Sequence, residues 1–534
     1  MSHLFLTGFM GAGKTTVGGA VAARLKKPFM DLDAEIEARE GASVPDLFRE
    51  RGEEGFRDAE HEALAALDGA VDAVVATGGG SVLRDDNRVL LHRLGTVVYL
   101  AVTPEETMAR LGDTDDRPLL SGGGLSAATE ILAARLALYA ATADHVVDTT
   151  GLDVESVADA VLEAMRAPEP TILHVQAGAR GYDVAIAEGL LDQAGACLAR
   201  ATDARRAAVI GDSNTGPRFG KRVSRSLEEA GFLVFEEQVD AGESSKSWQI
   251  AGDLLERLAL AGLGRDSVLV ALGGGVVGDL VGFCAATYLR GVDLVHIPTT
   301  LLAQVDSAIG GKTGVDLVAG KNLAGAFWPP RLVLADTGTL TSLPVAEWQN
   351  GLVETAKAAL LSGEEALARF ERDVEALLAR EPTVVSRSVA TAAAFKVEVV
   401  SADERESDLR ESLNLGHTLG HAIEVASGYG TVSHGVAVAE GLRFAARLAE
   451  RIAGAPASLT QRTDALLARL GVAPLAPRPV PSALLDAMRA DKKARAGTIR
   501  FVLLSAPGDW QVVPVEDGLL LEQLGRWSDG AGKG

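Results

Sequence analysis

The sequence predicts the α/β fold class, with a parallel-sheet domain first, a Rossmann-like α/β domain second and an α-helical domain last. Three observations support this prediction. The chain has 534 residues, which exceeds the usual size of one domain. Short apolar segments alternate with helical ones twice, within residues 1–166 and again within 172–335. In each of these regions a glycine-rich loop directly follows an apolar strand.

The strands and helices of the first region are visible as apolar runs of different length. A helix from Lys14 to about Leu25 follows the first strand and its glycine loop. Pro168 and Pro170 then prevent a helix from continuing, so we expect a stiff linker at 167–171. The predicted strands of this region are His3–Leu6, Ala73–Ala76 and Thr96–Leu100.

The second half changes character near Asp336. Beyond this residue apolar side chains recur at helical spacing, as in Val353–Leu361 and Gly435–Arg451. We therefore expect an α/β domain over 172–335, an α-helical domain over 336–527 and a flexible tail over 528–534. The strands predicted for the α/β domain are Ala207–Ile210, Leu233–Phe235, Val268–Leu272 and Leu294–Ile297.

The composition limits the partners and the compartment. The formal net charge of −22 disfavours nucleic acid and anionic membranes as partners. Cys197 and Cys284 lie far apart and outside any C-x-x-C pattern, so a reducing cytoplasm is expected. The first residues lack the basic segment of a signal peptide, and no apolar run approaches the roughly 20 residues of a membrane helix.

A phosphate-binding loop is the first chemical motif. Residues 8–15, GFMGAGKT, fit G-x-x-x-x-G-K-[ST] between a strand and a helix. Backbone N–H groups of such a loop surround phosphate oxygens, assisted by the positive end of the helix. Lys14 is then expected at the outer phosphates of a nucleotide, and Thr15 at Mg²⁺.

Further polar residues narrow the identity of the phosphate acceptor. Asp31 and Asp33 follow an apolar patch, Arg57 follows Gly-Phe, a glycine triplet occupies 78–80, and Arg117 lies in the polar stretch 113–118. Together with the glycine loop, these residues resemble the shikimate kinase family over essentially all of 1–166. The resemblance implies a P-loop fold like that of the nucleoside monophosphate kinases, which transfers the γ-phosphate of ATP to the 3-hydroxyl of shikimate.

The same resemblance implies roles for single residues. Lys14, Asp33 and Arg117 would be catalytic, with Asp33 orienting the hydroxyl and Arg117 reaching ATP from a lid. Thr15 and Asp31 would hold Mg²⁺. Residues 144–151, near which the adenine is expected to bind, contain no motif that identifies the contacting residues. The implied nucleotide contacts are Gly11, Ala12, Gly13, Lys14, Thr15 and Thr16, and the implied shikimate contacts are Asp33, Arg57, Gly79 and Arg135.

The second half contains another glycine loop. Residues 273–279, GGGVVGD, fit G-x-G-x-x-G after a strand, which is typical of dinucleotide-binding loops. The acidic residue that usually follows about 20 positions later is missing, since Asp293, the nearest candidate, falls short. Asp212, at the end of an earlier strand, is an alternative partner for the ribose.

Three histidines lie within eighteen positions late in the chain. His417 and His421 are four residues apart and so share one helical face, and His434 follows. With Glu354 from another helix they supply enough ligands for a catalytic Zn²⁺ with one open position. Spacing alone leaves open whether His421 binds the metal or lies beside it. Candidate anion-binding lysines lie in glycine-rich or apolar stretches: Lys312, Lys321, Lys357, Lys396 and the pair Lys492–Lys493.

From about residue 172 the chain resembles the 3-dehydroquinate synthase family. The resemblance is most specific over 273–316, 350–357 (NGLVETAK) and 413–424 (LNLGHTLGHAIE). It implies that Glu354, His417 and His434 bind Zn²⁺ or Co²⁺, both of which accept this ligand set. The catalytic groups of this second half would be His421, Lys312 and Glu406.

The implied reaction converts 3-deoxy-D-arabino-heptulosonate 7-phosphate into a carbocycle with loss of phosphate, while NAD⁺ is reduced and regenerated. Helical surfaces in this half also allow a homodimer. The implied NAD contacts are Asp212, Glu243, Lys246, Gly274, Gly275, Val276, Asp279, Thr299 and Thr300. The implied substrate contacts are Arg290, Asp306, Lys312, Lys321, Asn322, Lys357, Lys396, Arg410, Asn414, His421 and Lys492.

Two alternatives stay open at this point. The second half is also compatible with a metal-dependent alcohol dehydrogenase of the glycerol dehydrogenase kind, which consumes NAD and needs no phosphate pocket; the lysines argue against it. The first half is also compatible with a degenerate nucleotide-binding domain that regulates the second. The intact residues Lys14, Thr15, Asp33 and Arg57 argue against that reading.

Overall fold

The computed structural model describes residues 3–111, 124–166, 170–177, 181–404, 409–428, 430–490 and 498–530. Arg117, Glu406 and Lys492, most of the predicted linker and the last four residues of the predicted tail lie outside the described residues. Among the residues described, no helix combines the length and the apolar character that crossing a bilayer requires.

A five-stranded parallel sheet organises the first region. Its strand order is β2-β3-β1-β4-β5, and every pairing is parallel. In chain order the elements are β1 (His3–Thr7), α1 (Lys14–Leu25), β2 (Phe29–Asp31), α2 (Leu32–Glu40), α3 (Val44–Ala65), β3 (Val74–Ala76), α4 (Asp85–Leu94), β4 (Gly95–Ala101), α5 (Pro104–Leu111), α6 (Gly124–Thr142), β5 (His145–Asp148) and α7 (Val154–Arg166).

Strand β1 shows why this sheet is buried on both faces. Leu4 and Leu6 point into one apolar cluster, whereas Phe5 points into another on the opposite face. Alternate residues of a strand face opposite sides, so a continuous apolar run suits a parallel sheet covered by helices on both sides. The three strands and the first helix predicted here are confirmed.

A seven-stranded sheet forms the centre of the second region, in the order β6-β7-β14-β11-β10-β8-β9. All pairings are parallel except that of β6 with β7. Its elements are β6 (Thr171–Val175), β7 (Tyr182–Ala187), α8 (Ala194–Ala201), β8 (Arg206–Asp212), α9 (Lys221–Glu229), β9 (Leu233–Val239), α10 (Trp248–Leu260), β10 (Ser267–Gly273), α11 (Gly275–Thr287), β11 (Asp293–Pro298), the separate hairpin β12 (Lys312–Leu317) and β13 (Gly320–Phe327), and β14 (Leu332–Asp336).

The third region is mainly helical, as predicted, but it also contains a β-hairpin. In β15, Ile499 and the run Phe501–Leu504 are buried, and the strand pairs antiparallel with β16. This hairpin is an addition to the predicted helical domain that the sequence reasoning missed. The elements are α12 (Val345–Ser362), α13 (Glu364–Leu378), α14 (Pro382–Ala402), α15 (His417–Ser427), α16 (His434–Ile452), α17 (Ala457–Arg469), α18 (Pro481–Ala490), β15 (Ile499–Ala506), β16 (Asp509–Val515) and α19 (Asp517–Ser528).

The first and second regions touch through helix α6, which packs against α8. Ala140 of α6 is only 1% exposed and belongs to the apolar cluster that includes Leu198 of α8. Arg200 donates a hydrogen bond to the carbonyl oxygen of Ala143 (2.7 Å). The two halves are thus joined by a packed contact as well as by the linker.

Two candidate active sites

The first glycine loop has the backbone shape that its glycines allow. Gly8, Gly11 and Gly13 have φ values of 148°, 76° and 87°, in the region that side chains disfavour. Helix α1 begins directly after Gly13. The loop therefore directs the positive end of α1 towards the space it encloses, as an anion-binding loop requires.

The residues predicted to serve the nucleotide lie together at this loop. The Lys14 ammonium donates to the carbonyl oxygens of Gly8 (2.9 Å) and Phe9 (3.0 Å). The Thr15 hydroxyl donates to Asp31 Oδ2 (2.7 Å), so the two expected Mg²⁺ ligands are adjacent. Asp31 also caps helix α2 by accepting from the backbone N–H of Asp33, which fixes its position.

Arg57 is held by a buried carboxylate that the sequence reasoning missed. Its Nη1 donates to Glu60 Oε2 (3.0 Å), and Ser81 Oγ donates to Glu60 Oε1 (2.6 Å). Glu60 is fully buried although it is charged. Its position three residues after Arg57, on the same face of α3, was the available signal.

Neighbouring side chains come so close to Gly78 and Gly80 of the glycine triplet at 78–80 that a Cβ atom would collide with them. A Cβ on Gly80 would lie 2.1 Å from Arg57 Nη2, and one on Gly78 would lie 2.6 Å from Glu60 Oε1. The carbonyl oxygen of Gly79 accepts hydrogen bonds from Arg135 (3.1 Å) and from the Tyr139 hydroxyl, another residue not predicted. The structure thus brings Asp33, Arg57, Gly79 and Arg135 to one pocket beside the loop.

Burial, and next the negative charge of Glu60, raise the pKa of Asp33 to about 6, against the opposing effect of Lys14. A carboxylate with a raised pKa is a stronger base near neutral pH.

Arg110, which was not predicted, donates hydrogen bonds to Oγ1 of Thr149 (3.0 Å) and to the carbonyl oxygen of Thr149 (2.6 Å). This contact holds α5 against the loop after β5, which lies in the stretch 144–151 where the adenine is expected to bind.

The second glycine loop joins β10 to α11. A Cβ on Gly274 would lie 3.0 Å from Thr300 Cγ2, and one on Gly275 would lie 3.1 Å from Ser307 Oγ. The Thr299 hydroxyl is buried and has no hydrogen-bond partner among the described residues. Because a buried hydroxyl normally has a partner, this group and the start of α11 fit a polar ligand such as a dinucleotide.

Charged pairs surround this loop at the carboxyl ends of the parallel strands. Buried Lys246 pairs with Asp279 (2.5 Å), which lies in the first two turns of α11. Lys321 of the β12–β13 hairpin pairs with Glu243 (3.2 Å). Asp212, at the end of β8, accepts from the backbone N–H of Thr215 (2.8 Å) and so shapes the neighbouring turn. Ligands of open α/β sheets bind at this edge.

A candidate metal centre is built from three helices. Glu354 comes from α12, while His417 and His434 are the first residues of α15 and α16. One ligand atom from each lies within 4.8 Å of the others, and the Nε2 atoms of the two histidines lie 3.6 and 3.7 Å from Glu354 Oε1. The His421 ring lies 5.3 Å from that of His417, but His421 is not one of the three residues in this group.

Electrostatics favour a cation at this centre. Burial would raise the pKa of Glu354, but Lys357 and His434 outweigh it and lower the pKa to about 2. Burial would lower the pKa of His434, but hydrogen bonds and charges from Glu354 and Glu424 raise it to about 10. The carboxylates thus stabilise positive charge between the ligands, and the donor set of one carboxylate and two imidazoles fits Zn²⁺ or Co²⁺.

Cationic side chains lie next to the metal centre. Lys357 pairs with Glu354 and donates to the carbonyl oxygen of Leu413 (3.0 Å). Lys396 pairs with half-buried Asp306, whose pKa falls to about 2 because Lys396 and then Lys357 outweigh the effect of desolvation. Arg410, 2% exposed, donates to the carbonyl oxygen of Gly310 (3.3 Å).

The remaining predicted substrate residues occupy different places. Lys312 begins β12, Asn322 in β13 has a left-handed backbone (φ 55°), and half-buried Asn414 precedes α15. Arg290 follows the far end of α11 and precedes the start of β11. It therefore lies at the opposite edge of the sheet, and within one chain the structure does not bring it to the other residues.

Three family models match the chain. Residues 10–166 match the model described as shikimate kinase. Residues 236–350 match 3-dehydroquinate synthase N-terminal, and residues 351–494 match 3-dehydroquinate synthase C-terminal.

Relatives and solved structures agree with these matches. The chain is 46% identical over 343 residues to a 3-dehydroquinate synthase of Symbiobacterium thermophilum, covering 64% of this chain and 96% of that protein. It is similar to a 2-deoxy-scyllo-inosose synthase solved with carbaglucose-6-phosphate, NAD⁺ and Co²⁺ (TM-score 0.61, 27% identity, 66% of this chain and 99% of that one). It is equally similar to a 2-epi-5-epi-valiolone synthase from Streptomyces hygroscopicus with NAD⁺ and Zn²⁺ (TM-score 0.61, 27% identity, 66% and 98%).

Proposed function

The chain belongs to the 3-dehydroquinate synthase family and carries a shikimate kinase domain ahead of it, and from this premise we propose which residues perform its two reactions. It is a bifunctional enzyme of the shikimate pathway, a kinase and a lyase that act on small-molecule substrates. We assign the kinase to residues 1–166, the NAD-binding domain to 172–335 and the metal- and substrate-binding domain to 336–527.

The kinase domain phosphorylates the 3-hydroxyl of shikimate with ATP. Loop 8–15 and Lys14 bind the phosphates, while Thr15 and Asp31 hold Mg²⁺. Arg57 and Arg135 bind the shikimate carboxylate, because a guanidinium matches a carboxylate through paired hydrogen bonds. Asp33 accepts the hydroxyl proton, a role for which its raised pKa is suited.

The synthase domains convert 3-deoxy-D-arabino-heptulosonate 7-phosphate to 3-dehydroquinate and phosphate. When bound, the metal supplies Lewis acidity and NAD⁺ a reversible hydride acceptor. Glu354, His417 and His434 would hold the metal, and the loop at Gly274 and Gly275 would hold NAD⁺. The other chain groups proposed for NAD⁺ are Asp212, Glu243, Lys246, Val276, Asp279, Thr299 and Thr300.

The positive groups beside the metal centre bind the anionic substrate. Lys357, Lys396 and Arg410 hold the phosphate and carboxylate of one molecule in this proposal, and Lys312, Lys321, Asn322 and Asn414 complete the pocket. His421, next to the proposed ligand His417, moves a proton to or from the substrate. The combination of candidate metal ligands with several cationic side chains supports the proposal, because a simple polyol dehydrogenase needs no such positive pocket.

We propose further that the protein acts in the cytoplasm, binds neither nucleic acid nor membranes, and pairs as a homodimer through its second half. The cysteine pattern supports the first statement and the acidic composition supports the second. Size-exclusion chromatography with light scattering tests the third, since a monomeric mass would contradict it.

The decisive experiment separates the two reactions in the intact chain. Phosphate release from the heptulosonate is measured with and without added NAD⁺, with metal content determined on the same sample. We expect release to need NAD⁺ and about one metal ion per chain, without net NADH. Net NADH from a simple polyol would establish the dehydrogenase alternative instead.

Two variants complete this test. Lys14→Ala should reduce shikimate phosphorylation by on the order of 10³-fold, because Lys14 stabilises the transferred phosphate, and should leave phosphate release from the heptulosonate unchanged. Glu354→Gln should have the opposite pattern and should lower the bound metal. An unchanged kinase rate in Lys14→Ala would contradict the assignment of the first site.

A further inference from the structure

Glu424 lies on the far side of one of the candidate metal ligands. The imidazole of His434 directs Nε2 towards Glu354 (3.7 Å to Oε1) and Nδ1 towards Glu424 (3.6 Å to Oε1). The Glu424 side chain is 13% exposed, so it is held in the protein rather than extended into solvent. His434 is thus placed between two carboxylates, one beside each ring nitrogen.

The position of Glu424 follows from helix α15. This helix begins with the ligand His417, and Glu424 lies seven residues later, about two turns along the same face. One helix therefore supplies a metal ligand at its first residue and a carboxylate for the other histidine near its end. The two histidines are held differently, since Nδ1 of His417 faces a backbone oxygen, that of Leu415 (3.2 Å).

We propose that Glu424 is a positioning residue for the metal centre, which fixes the ring and the tautomer of His434. A carboxylate at Nδ1 keeps the proton on that nitrogen and leaves the lone pair of Nε2 directed at the metal. It also increases the basicity of the imidazole and adds negative charge near the cation. This inference rests on the proposed metal centre.

Metal affinity is the measurement that tests the role. The intact chain is loaded with Zn²⁺, and its dissociation constant is determined by competition with a chromophoric chelator for wild type, Glu424→Gln and Glu424→Ala. We expect affinity to fall about tenfold in Glu424→Gln, whose amide oxygen still accepts a hydrogen bond, and up to about 100-fold in Glu424→Ala. Saturating Zn²⁺ should restore most of the synthase kcat in Glu424→Gln.

Controls separate this role from folding and from the proposed function. Glu450→Gln makes the same change at an exposed position near the end of α16, and it should leave Zn²⁺ affinity at the wild-type value. The shikimate kinase rate of each variant reports on the folding of the same chain, and the Kd for NAD⁺ reports on the synthase half.

Each remaining outcome has one meaning. If wild type binds no stoichiometric Zn²⁺, the proposed metal centre itself is wrong. If wild type binds Zn²⁺ and both Glu424 variants bind it within twofold of wild type, the positioning role is overturned. A fall in kcat at unchanged Zn²⁺ affinity would also overturn it, because Glu424 would then act through His421 or Lys321, the other cations that influence its carboxylate.

Discussion

The two active sites obtain their polar groups in different ways. The kinase site is made largely from backbone: eight consecutive residues form the phosphate loop, and Lys14 donates to carbonyl oxygens within it. The synthase site is made from charged side chains that come from distant segments, such as Glu354 and His434, and that pair with one another in the interior. Local sequence therefore determines the phosphate loop of the first site, whereas tertiary packing determines the second site.

This difference has an energetic consequence. Buried ion pairs gain Coulomb energy but lose hydration, so removing one partner leaves an uncompensated buried charge. Lys357–Glu354 is a pair of this kind, and Lys396–Asp306 is a half-buried one. The kinase site has one comparable pair, Arg57–Glu60, and its main phosphate contacts are backbone groups whose geometry the fold fixes.

The largest expected effect is therefore in the synthase pocket. Lys396→Met should leave the half-buried carboxylate of Asp306 without its nearest cation and destabilise the synthase domains by about 2–3 kcal/mol. Lys396 and Lys357 hold the pKa of Asp306 near 2, below its ordinary value. The ionised carboxylate therefore adds to the free energy of unfolding of wild type above the ordinary pKa, and this contribution is lost as pH falls through the folded-state pKa. The variant should lose less stability on acidification.

Urea unfolding monitored by tryptophan fluorescence checks this prediction, because all five tryptophans lie in the second half and the readout does not need the substrate pocket. The double variant Lys396→Met/Asp306→Asn is the matched control, and it should recover most of the lost stability because no charge is then left unpaired. A loss below about 1 kcal/mol in the single variant would mean that solvent screens Asp306 and that the contrast between the sites is smaller than the structure indicates.

A middle-sized effect is expected at Asp33 in the kinase site. Its folded pKa, about 6, lies above the ordinary value, so the native state binds the proton more tightly than the unfolded chain. The stability from the protonated form is present below the ordinary pKa and is lost as pH rises through 6. At pH 7, Asp33→Asn should therefore stabilise the kinase domain by about 2 kcal/mol while it removes the base.

The pH–rate profile gives a second measurement of the same group. Shikimate phosphorylation should decline as pH falls through about 6, because Asp33 must be unprotonated to accept the hydroxyl proton. The control is the synthase reaction of the same sample. A kinase profile that is flat between pH 5 and 7, or an Asp33→Asn variant that is less stable at pH 7, would contradict the prediction.

The sequence predicted the two sites unequally for the same physical reason. The phosphate loop, Asp31 and the glycine triplet are contiguous motifs, and their positions agree with the structure. The resemblance to the family implied the candidate metal ligands Glu354, His417 and His434, which the structure brings together, whereas spacing alone could not separate His421 from them. Glu60 and Tyr139 were missed because their importance depends on contacts with Arg57 and Gly79 that only packing creates.

The fold prediction omitted one element of the helical domain. Residues 499–515 form an antiparallel hairpin against the helices, and the sequence reasoning had assigned no strand to this segment. Short apolar runs fit both a buried strand and a buried helix, and the packing partner decides between them. Here the ring of Phe501 lies 5.7 Å from that of Phe444 in α16, so the hairpin covers the helix that begins with His434.

The smallest expected effect lies between the two halves, where α6 of the kinase packs on α8 of the synthase. Arg200 bonds the carbonyl oxygen of Ala143, and Arg225 pairs with Asp148, in both cases near the surface. Solvent screens such contacts, so Arg200→Ala/Arg225→Ala should destabilise the kinase domain by only about 0.5–1 kcal/mol. The apolar contact around Ala140 remains in this variant and keeps the halves docked.

Urea midpoints of the kinase activity measure this small effect. Arg369→Ala is the matched control, because it removes an exposed pair with Glu365 inside α13, and it should leave the kinase midpoint unchanged. Helix α6 also carries Arg135 of the proposed shikimate pocket. A lower urea midpoint of the kinase activity with an unchanged kcat would mean that the synthase half stabilises this pocket through packing without changing its chemistry. An identical midpoint in wild type and the double variant would contradict the prediction and would mean that these two polar contacts add no stability beyond the apolar contact around Ala140.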